Sequence, residues 1–176
     1  MELVNSSASG TANEANLWES HSARIYRYLF RLTGSAATAE DLTQETFLQA
    51  IRDLRSLRAA PENVNAWLYR IATNRATDHF RRARRFAWLP FHLERGVGAV
   101  ADPAEGLAEQ DLIFRALGRL PKETAAVLLL RDGEGFSARE IAEMTGENYE
   151  ALRKRLARAR ETFRAEYLRL KGGTTQ

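Results

Sequence analysis

The sequence has 176 residues, of which 44% are hydrophobic, and 26 Lys and Arg stand against 23 Asp and Glu, for a net charge of +3. This length and composition suit a globular protein of one domain or two small ones. Because the chain has no cysteine, disulfides, thiolate zinc sites and thiol redox sensing are excluded within it.

The sequence also shows no pattern for membrane insertion or secretion. No apolar run approaches the roughly 20 residues needed to cross a bilayer. Residues 1–12 are mostly small and polar and lack the basic and apolar regions of a secretory signal. We therefore interpret them as a disordered lead-in and expect a cytoplasmic protein.

Residues 13–86 carry helical patterns and are predicted to form an N-terminal domain. A first helix is expected from Glu14 to Thr33, with Gly34 just past its end. The segment Thr38–Asp41 resembles a capping box and is predicted to open a second helix. That helix is expected to run toward Arg55.

A proline-containing segment, Arg58–Asn65, breaks the helical pattern and is predicted to be a loop. A third helix is expected over Ala66–Arg85. Residues 87–104 then lose the helical period and contain two prolines and two glycines, which is typical of a flexible linker. Helix returns over Glu105–Leu120, so that residues 105–171 are predicted to form a C-terminal domain, with a tail over 172–176.

Within this second domain, helix restarts after Pro121, breaks at DGEGF, and is followed by a helix-turn-helix pattern. Ser137–Glu140 is a capping box, Gly146 permits the turn, and Asn148 can cap a final helix that reaches Leu170. No strand pattern occurs. We therefore predict an all-α fold of two small domains, an N-terminal helical bundle and a C-terminal helix-turn-helix bundle, joined by the flexible linker.

The final helix is predicted to bury one face and to present a basic one. At about 100° per residue, the buried stripe is Leu152, Leu156, Ala159, Phe163 and Tyr167. The other face, with its flanks and capping residue, is Asn148, Glu150, Arg153, Lys154, Arg155 and Arg158. A plain bundle could expose such a face. The caps, the glycine turn and the arginine asymmetry together favour duplex DNA, whose guanines and phosphates accept hydrogen bonds from Arg and Lys.

The third helix is predicted to have a functional face as well. Its expected core side consists of Leu68, Ala72, Ala76, His79 and Ala83. The opposite sector consists of Trp67, Asn74, Asp78 and Arg81, followed by Arg82, Arg84 and Arg85. An aromatic ring, an amide and a carboxylate can stack on and hydrogen-bond to unpaired bases, while arginines hold the backbone. The alternative for Asp78 is an ordinary helical ion pair with Arg82.

The second helix places an apolar residue on its polar side. Its predicted core stripe is Thr43, Phe47, Ala50, Ile51 and Leu54. On the other side lie Asp41, Gln44, Glu45, Leu48 and Arg52. Leu48 is either an ordinary exposed leucine or the anchor for a protein partner.

Four segments occur in a characteristic order: AEDLTQETFLQAIRDL, NAWLYRIATNRATDHFRRARR, LGRLPKETAAVLLLRDGEGFSAREIAEMTG and RLARARETFR. In this order they resemble the bacterial extracytoplasmic-function (ECF, group IV) sigma factors of RNA polymerase, over about residues 20–85 and 107–168. The resemblance implies an alternative sigma factor that binds core RNA polymerase and directs promoter recognition, DNA opening and transcription initiation.

The resemblance assigns a role to each predicted face. It implies binding to core polymerase through Asp41, Gln44, Glu45 and Leu48. It implies recognition of the melted minus-ten strand by Trp67, Asn74, Asp78, Arg81, Arg82, Arg84 and Arg85, with the loop before the third helix helping to hold an extruded base. It implies recognition of the duplex minus-thirty-five element by Asn148, Glu150, Arg153, Lys154, Arg155 and Arg158. An anti-sigma factor is a candidate further partner, because such proteins commonly hold family members inactive.

Two positions depart from the family pattern. Glu147 follows the turn glycine, where family members usually carry an apolar residue. Lys154 stands where they often carry a small polar one. The first departure bears on how the turn packs, and the second on which minus-thirty-five sequence is preferred.

Two rival hypotheses belong to other functional classes. A helix-turn-helix regulator would bind a palindromic duplex operator without polymerase. An enzyme is disfavoured, because the three histidines lie on different segments and the sequence has no H-E-x-x-H, phosphate-loop or G-x-S-x-G motif. We therefore expect no catalytic residue, cofactor or metal site.

Overall fold

The computed structural model describes residues 5–56, 61–86 and 105–172, and the regular elements within these ranges are all helical. The helices are α1 (Asn5–Thr33), α2 (Ala36–Ser56), α3 (Val64–Phe86), α4 (Glu105–Gly118), α5 (Lys122–Leu128), which continues into a π-helical turn (Leu129–Gly133), α6 (Ala138–Thr145) and α7 (Tyr149–Gly172). The predicted all-α class is confirmed. The predicted linker, and parts of the predicted lead-in, loop and tail, lie outside the described residues.

In the described ranges, no helix combines the length and the apolar character that a membrane span requires.

The helices α1, α2 and α3 form a bundle because each carries an apolar stripe that faces the other two. The buried side chains include Ile25, Leu29, Leu32, Leu42, Phe47, Ala50, Leu68, Ala72 and Ala76. Two polar groups inside this core satisfy each other, since the Tyr28 hydroxyl lies 2.8 Å from the Thr73 Oγ1. The predicted core sides of α2 and α3 thus meet in one N-terminal bundle.

The starts of the first two helices differ from the sequence prediction. The helix α2 begins at Ala36 rather than Thr38, because the Ser35 Oγ accepts a hydrogen bond from the Thr38 backbone N–H at 3.3 Å. The helix α1 begins at Asn5, inside the stretch interpreted as a lead-in, and no proline interrupts it. It ends where predicted, before Gly34, whose φ of +82° is accessible to glycine at little cost.

The helices α4, α5 and α6 pack against α7 to form the C-terminal bundle. Its buried residues include Leu117, Leu120, Val127, Leu130, Ile141, Ala142, Leu152, Leu156 and Ala159. Phe163 and Tyr167 are half-buried further along α7. The predicted apolar stripe of the final helix is therefore confirmed.

The two bundles also pack against each other. The ring of Tyr69 in α3 meets that of Phe136 edge-on, at 5.1 Å between centroids. On the other side of the junction, Phe30 of α1 stacks with Phe114 of α4 at 5.7 Å. A Cβ at Gly34 would lie 3.3 Å from the Phe114 ring, so this glycine also allows the close approach. The aromatic contacts join both cores into one apolar cluster.

Polar side chains also form hydrogen bonds and an ion pair across the junction. Glu134, in the turn before α6, accepts a hydrogen bond from the Tyr69 hydroxyl at 2.5 Å and lies 3.6 Å from the Arg31 guanidinium. Burial raises the pKa of Tyr69 above its usual range, so the phenol stays protonated and donates. The Lys122 Nζ donates to the Leu32 carbonyl at 2.9 Å, which satisfies the end of α1.

Candidate nucleic-acid and protein interfaces

The first half of α3 is buried nearly all around, and this corrects one site prediction. The helix starts where the Asn63 Oδ1 accepts a hydrogen bond from the Ala66 backbone N–H at 2.9 Å. Beyond this cap, Trp67 is only 7% exposed and belongs to the core, as does Ile71. The prediction that Trp67 lies on the exposed sector is wrong, because α3 packs against α1, α2, α5 and α6, so a single core side does not describe its first half.

From Asn74 onward, the predicted sector of α3 faces solvent. Its exposed members are Asn74, Asp78, Arg81, Arg82, Arg84 and Arg85. The Asp78 carboxylate lies 3.6 Å from the Arg81 guanidinium, and both side chains are more than half exposed. The ion pair is therefore with Arg81 rather than Arg82, and an exposed pair of this kind contributes under about 1 kcal/mol. The carboxylate remains accessible to a ligand.

A polar chain fixes this face relative to α2. The Arg75 Nη2 of α3 donates to the Gln49 Oε1 at 2.6 Å. The Gln49 Nε2 in turn donates to the Asp53 Oδ1 at 2.6 Å. These hydrogen bonds set the rotation of α3 against α2, and thereby the direction in which Asn74 and Asp78 point.

The predicted protein-binding face of α2 is exposed as a unit. Asp41, Gln44 and Glu45 face solvent. Leu48 is 54% exposed, although the adjacent Phe47 is buried. An exposed leucine flanked by acids and an amide is accessible to a partner that offers an apolar pocket and donor groups.

The helix-turn-helix is built as its local signals predict. The Ser137 Oγ accepts a hydrogen bond from the Glu140 backbone N–H, and the Glu140 carboxylate accepts one from the Ser137 N–H at 2.8 Å. Hydrogen bonding of the Glu140 carboxylate to the Ser137 hydroxyl and to the Ser137 backbone N–H lowers the pKa of this carboxyl. Gly146 takes a φ of +69° at the end of α6. The Asn148 Oδ1 accepts from the Glu150 N–H at 2.9 Å and caps α7, so its acceptor is already occupied.

The predicted basic residues of α7 differ in exposure and pairing. Arg153, Lys154 and Arg158 are exposed. The Arg153 guanidinium is 3.5 Å from the Glu150 carboxylate. Arg155 is partly buried and donates from its Nη2 to Glu147 across the turn. The sequence predicts that these cations lie near one end of α7. It does not predict that Arg155 is bound to a carboxylate of the same protein.

One exposed residue of this face is absent from the sequence prediction. Tyr149, the first residue of α7, is 40% exposed, and the Arg153 guanidinium lies 5.8 Å from its ring centre. An aromatic ring in the first turn of a helix that enters the major groove can contact base edges. Its place directly after the capping Asn148 is the signal that would have identified it.

A groove of about 840 Å³ runs between the two bundles, away from both basic faces. Apolar side chains from α1, α4 and α7 line it, among them Phe30, Ile113, Phe114 and Phe163. At its rim, Arg160 forms two hydrogen bonds with the Asp132 carboxylate, at 2.9 and 2.6 Å. The groove is apolar with charged edges, unlike the exposed arginine-rich faces of α3 and α7.

Each of the two bundles matches a known protein family. Residues 17–86 match the Sigma-70 region 2 family and residues 110–163 match the Sigma-70, region 4 family. The ECF RNA polymerase sigma factor BldN of Streptomyces coelicolor is 33% identical over 174 residues, which are 93% of this chain and 64% of BldN. The chain therefore spans slightly less than two thirds of that relative's length.

A shorter relative is matched over most of its own length. The ECF RNA polymerase sigma factor SigL of Mycobacterium tuberculosis is 35% identical over 128 residues, which are 72% of each chain. Among solved structures, the sigma factor RpoE in complex with the anti-sigma factor NepR from Bartonella quintana superposes with a TM-score of 0.66 at 23% identity, over 82% of this chain and 90% of RpoE. The chain belongs to the ECF RNA polymerase sigma factors.

Proposed function

We propose that this protein is an alternative sigma factor that binds core RNA polymerase, directs it to promoters and helps to open the DNA. The observation that carries the proposal is the presence of two chemically different exposed faces, one on each of the two sigma regions. One face, on α3, combines an amide, a carboxylate and arginines, and the other, at the start of α7, is a capped helix-turn-helix with exposed cations. A duplex-binding regulator needs only the second face.

On α3, Asn74 and Asp78 lie one helical turn apart and both are exposed. A carboxylate accepts hydrogen bonds from exocyclic amines, and an amide both donates and accepts. Arg81 and Arg82, one turn further along, can hold the phosphates of the same strand. We assign this face to bases of the minus-ten element after they leave the stack, when their pairing edges become accessible.

On α7, the exposed cations Arg153, Lys154 and Arg158 suit the edges of guanines and the phosphates of a duplex. The capping box of α6 and the Gly146 turn hold the helix at a fixed angle. We assign this face to the minus-thirty-five element. The Leu48 face of α2 is assigned to core polymerase, with the exposed leucine as its apolar anchor.

Three finer assignments follow from this proposal. The segment between the two matched regions, residues 87–109, is too short for a further domain, which supports placement in the group IV subclass. Action on polymerase implies a cytoplasmic site of action. An anti-sigma factor is proposed as a regulatory partner, because RpoE, which shares the fold, was solved bound to one.

The experiment that tests the proposal is gel filtration and promoter binding with purified core polymerase. The chain should co-elute with core enzyme, and promoter binding should require the complex. Binding of the isolated chain to a palindromic duplex, with no retention by core polymerase, would instead identify a helix-turn-helix regulator.

A further inference from the structure

The acids around the start of α7 neutralise its cations unequally. Glu147 binds Arg155, and both side chains are less than one third exposed, at 29% and 30%. Glu150 lies 3.5 Å from Arg153, but these side chains are 64% and 58% exposed. Within the described parts of the chain, the other two cations of this face have no carboxylate within ion-pair distance; they are Lys154 and Arg158.

The position of Glu147 follows from the turn. Gly146 ends α6 in the left-handed region, and the Glu147 backbone N–H then donates to the Ala142 carbonyl at 3.1 Å. This directs the Glu147 side chain toward the second turn of α7, eight residues ahead in sequence, where it meets Arg155. The pair therefore joins the turn between the two helices to α7.

Burial makes this pair stronger than its exposed neighbour. A charge-assisted hydrogen bond gains strength where solvent is partly excluded, whereas an exposed pair is screened and opens readily. Among the described residues, the Arg155 Nε is one of two buried side-chain polar atoms without a hydrogen-bond partner. The Nε of Arg155 is thus enclosed by the protein, and one Nη is bound to Glu147, although the side chain as a whole is 30% exposed.

We propose that Glu147 is a specificity-determining positioning residue that holds Arg155 away from the DNA. The exposed cations Arg153, Lys154 and Arg158 then carry the contacts to the minus-thirty-five duplex. This inference rests on the proposed function. It gives a reason for an acid directly after the turn glycine. Glu147 withdraws Arg155 from the DNA-binding face proposed for α7, and the resulting ion pair helps to fix the angle between α6 and α7.

The test is the salt dependence of promoter binding by holoenzyme reconstituted from core polymerase and the full chain. Each phosphate contact contributes about 0.9 to the slope of log K against log salt. Arg158→Ala should lower the slope by about 0.9, whereas Arg155→Ala, the same change three residues away, should leave it unchanged. Glu147→Ala should steepen the slope and broaden base preference at the minus-thirty-five element. The double variant Glu147→Ala/Arg155→Ala should restore the wild-type slope.

Glu150→Ala is the matched control. It also removes one negative charge, but the partner of Glu150 is Arg153, which is exposed rather than partly enclosed. Equal slopes for Glu147→Ala and Glu150→Ala would overturn the proposal, since the effect would then be one of general charge. An equal loss for Arg155→Ala and Arg158→Ala would overturn it as well. If Arg158→Ala leaves the slope unchanged, the assignment of this face to DNA fails, which is a separate result. Circular dichroism of each variant checks that α6 and α7 remain folded.

Discussion

The second half of α3 and the first turns of α7 are both arginine-rich helical surfaces that contain acids, but the acids behave differently. On α3, Asp78 and Arg81 approach to 3.6 Å with both side chains exposed, so solvent screens the pair. At the start of α7, Glu147 of the preceding turn accepts a hydrogen bond from Arg155, and both side chains are less than one third exposed. On the two proposed nucleic-acid surfaces, an acid can therefore accept from a base or be committed to a neighbouring arginine, and we propose that burial decides between these roles.

The largest effect is expected outside both surfaces. Leu48→Asp places a charge where an apolar anchor is proposed, and loss of an anchor of this kind costs about 2 kcal/mol or more, roughly 30-fold in affinity. Holoenzyme assembly should weaken by that factor, measured by titration of labelled chain with core polymerase. Leu168→Asp is the matched control, because Leu168 is also exposed, at 55%, but lies near the far end of α7. Similar losses for both variants would contradict the assignment of the α2 face.

On α3, Asp78→Ala should change base selection rather than assembly. Losing one base-edge hydrogen-bonding group costs about 1–3 kcal/mol of discrimination, or roughly tenfold at a single minus-ten position. Transcription from promoters that differ by one base would measure the change, with core binding as the control. A preference profile identical to wild type would leave Asp78 as a surface ion-pair partner and would remove the contrast between the two surfaces.

On α7, Arg158→Ala should weaken promoter binding for all sequences, with an additional loss where the base beside it is guanine. We expect a decrease of a few fold at physiological salt that shrinks as salt rises, because a released phosphate contact no longer displaces counterions. Electrophoretic mobility shifts at several salt concentrations check this. If affinity falls by the same factor at every salt concentration, Arg158 acts through packing instead.

The smallest effect concerns the support of the α7 surface. Ser137→Ala removes the capping box of α6 and should lower the free energy of unfolding by about 1 kcal/mol, measured by urea denaturation. The pKa of Glu140 is lowered in the folded protein, so its stabilising contribution is present at neutral pH and is lost as pH falls below the ordinary value of 4.5. The difference in the free energy of unfolding between wild type and Ser137→Ala should therefore become smaller in acid. A constant difference down to pH 3 would argue against the Glu140 contribution.

The features that sequence predicted correctly are set by local physical chemistry. The capping box at Ser137, the left-handed Gly146 and the Asn148 cap each depend on residues within four positions of one another. The exposure of Leu48 follows from the helical period of α2 alone. Where two candidate caps stand close together, as Ser35 and Thr38 do, composition does not distinguish them, and the structure selects the earlier one.

The features that sequence missed depend on contacts between distant parts of the chain. Trp67 lies opposite the predicted core side of α3 but is buried, because α3 packs against four other helices. One long-range contact of α3 joins Tyr69 to Phe136, 67 positions further along the chain. The Glu147–Arg155 pair spans a turn, so the spacing of three or four residues that identifies ion pairs within one helix does not detect it. A helical wheel assigns faces but not the neighbours that cover them.

Run-off transcription with purified core polymerase on a promoter library tests the central claim most directly. The claim is that α3 reads unpaired bases while α7 holds the duplex upstream. We expect transcripts only when the chain is present, from templates that share one minus-ten and one minus-thirty-five sequence, and with altered minus-ten selectivity for Asp78→Ala. Failure of the chain to start transcription with core polymerase from any template would contradict the assignment of both surfaces.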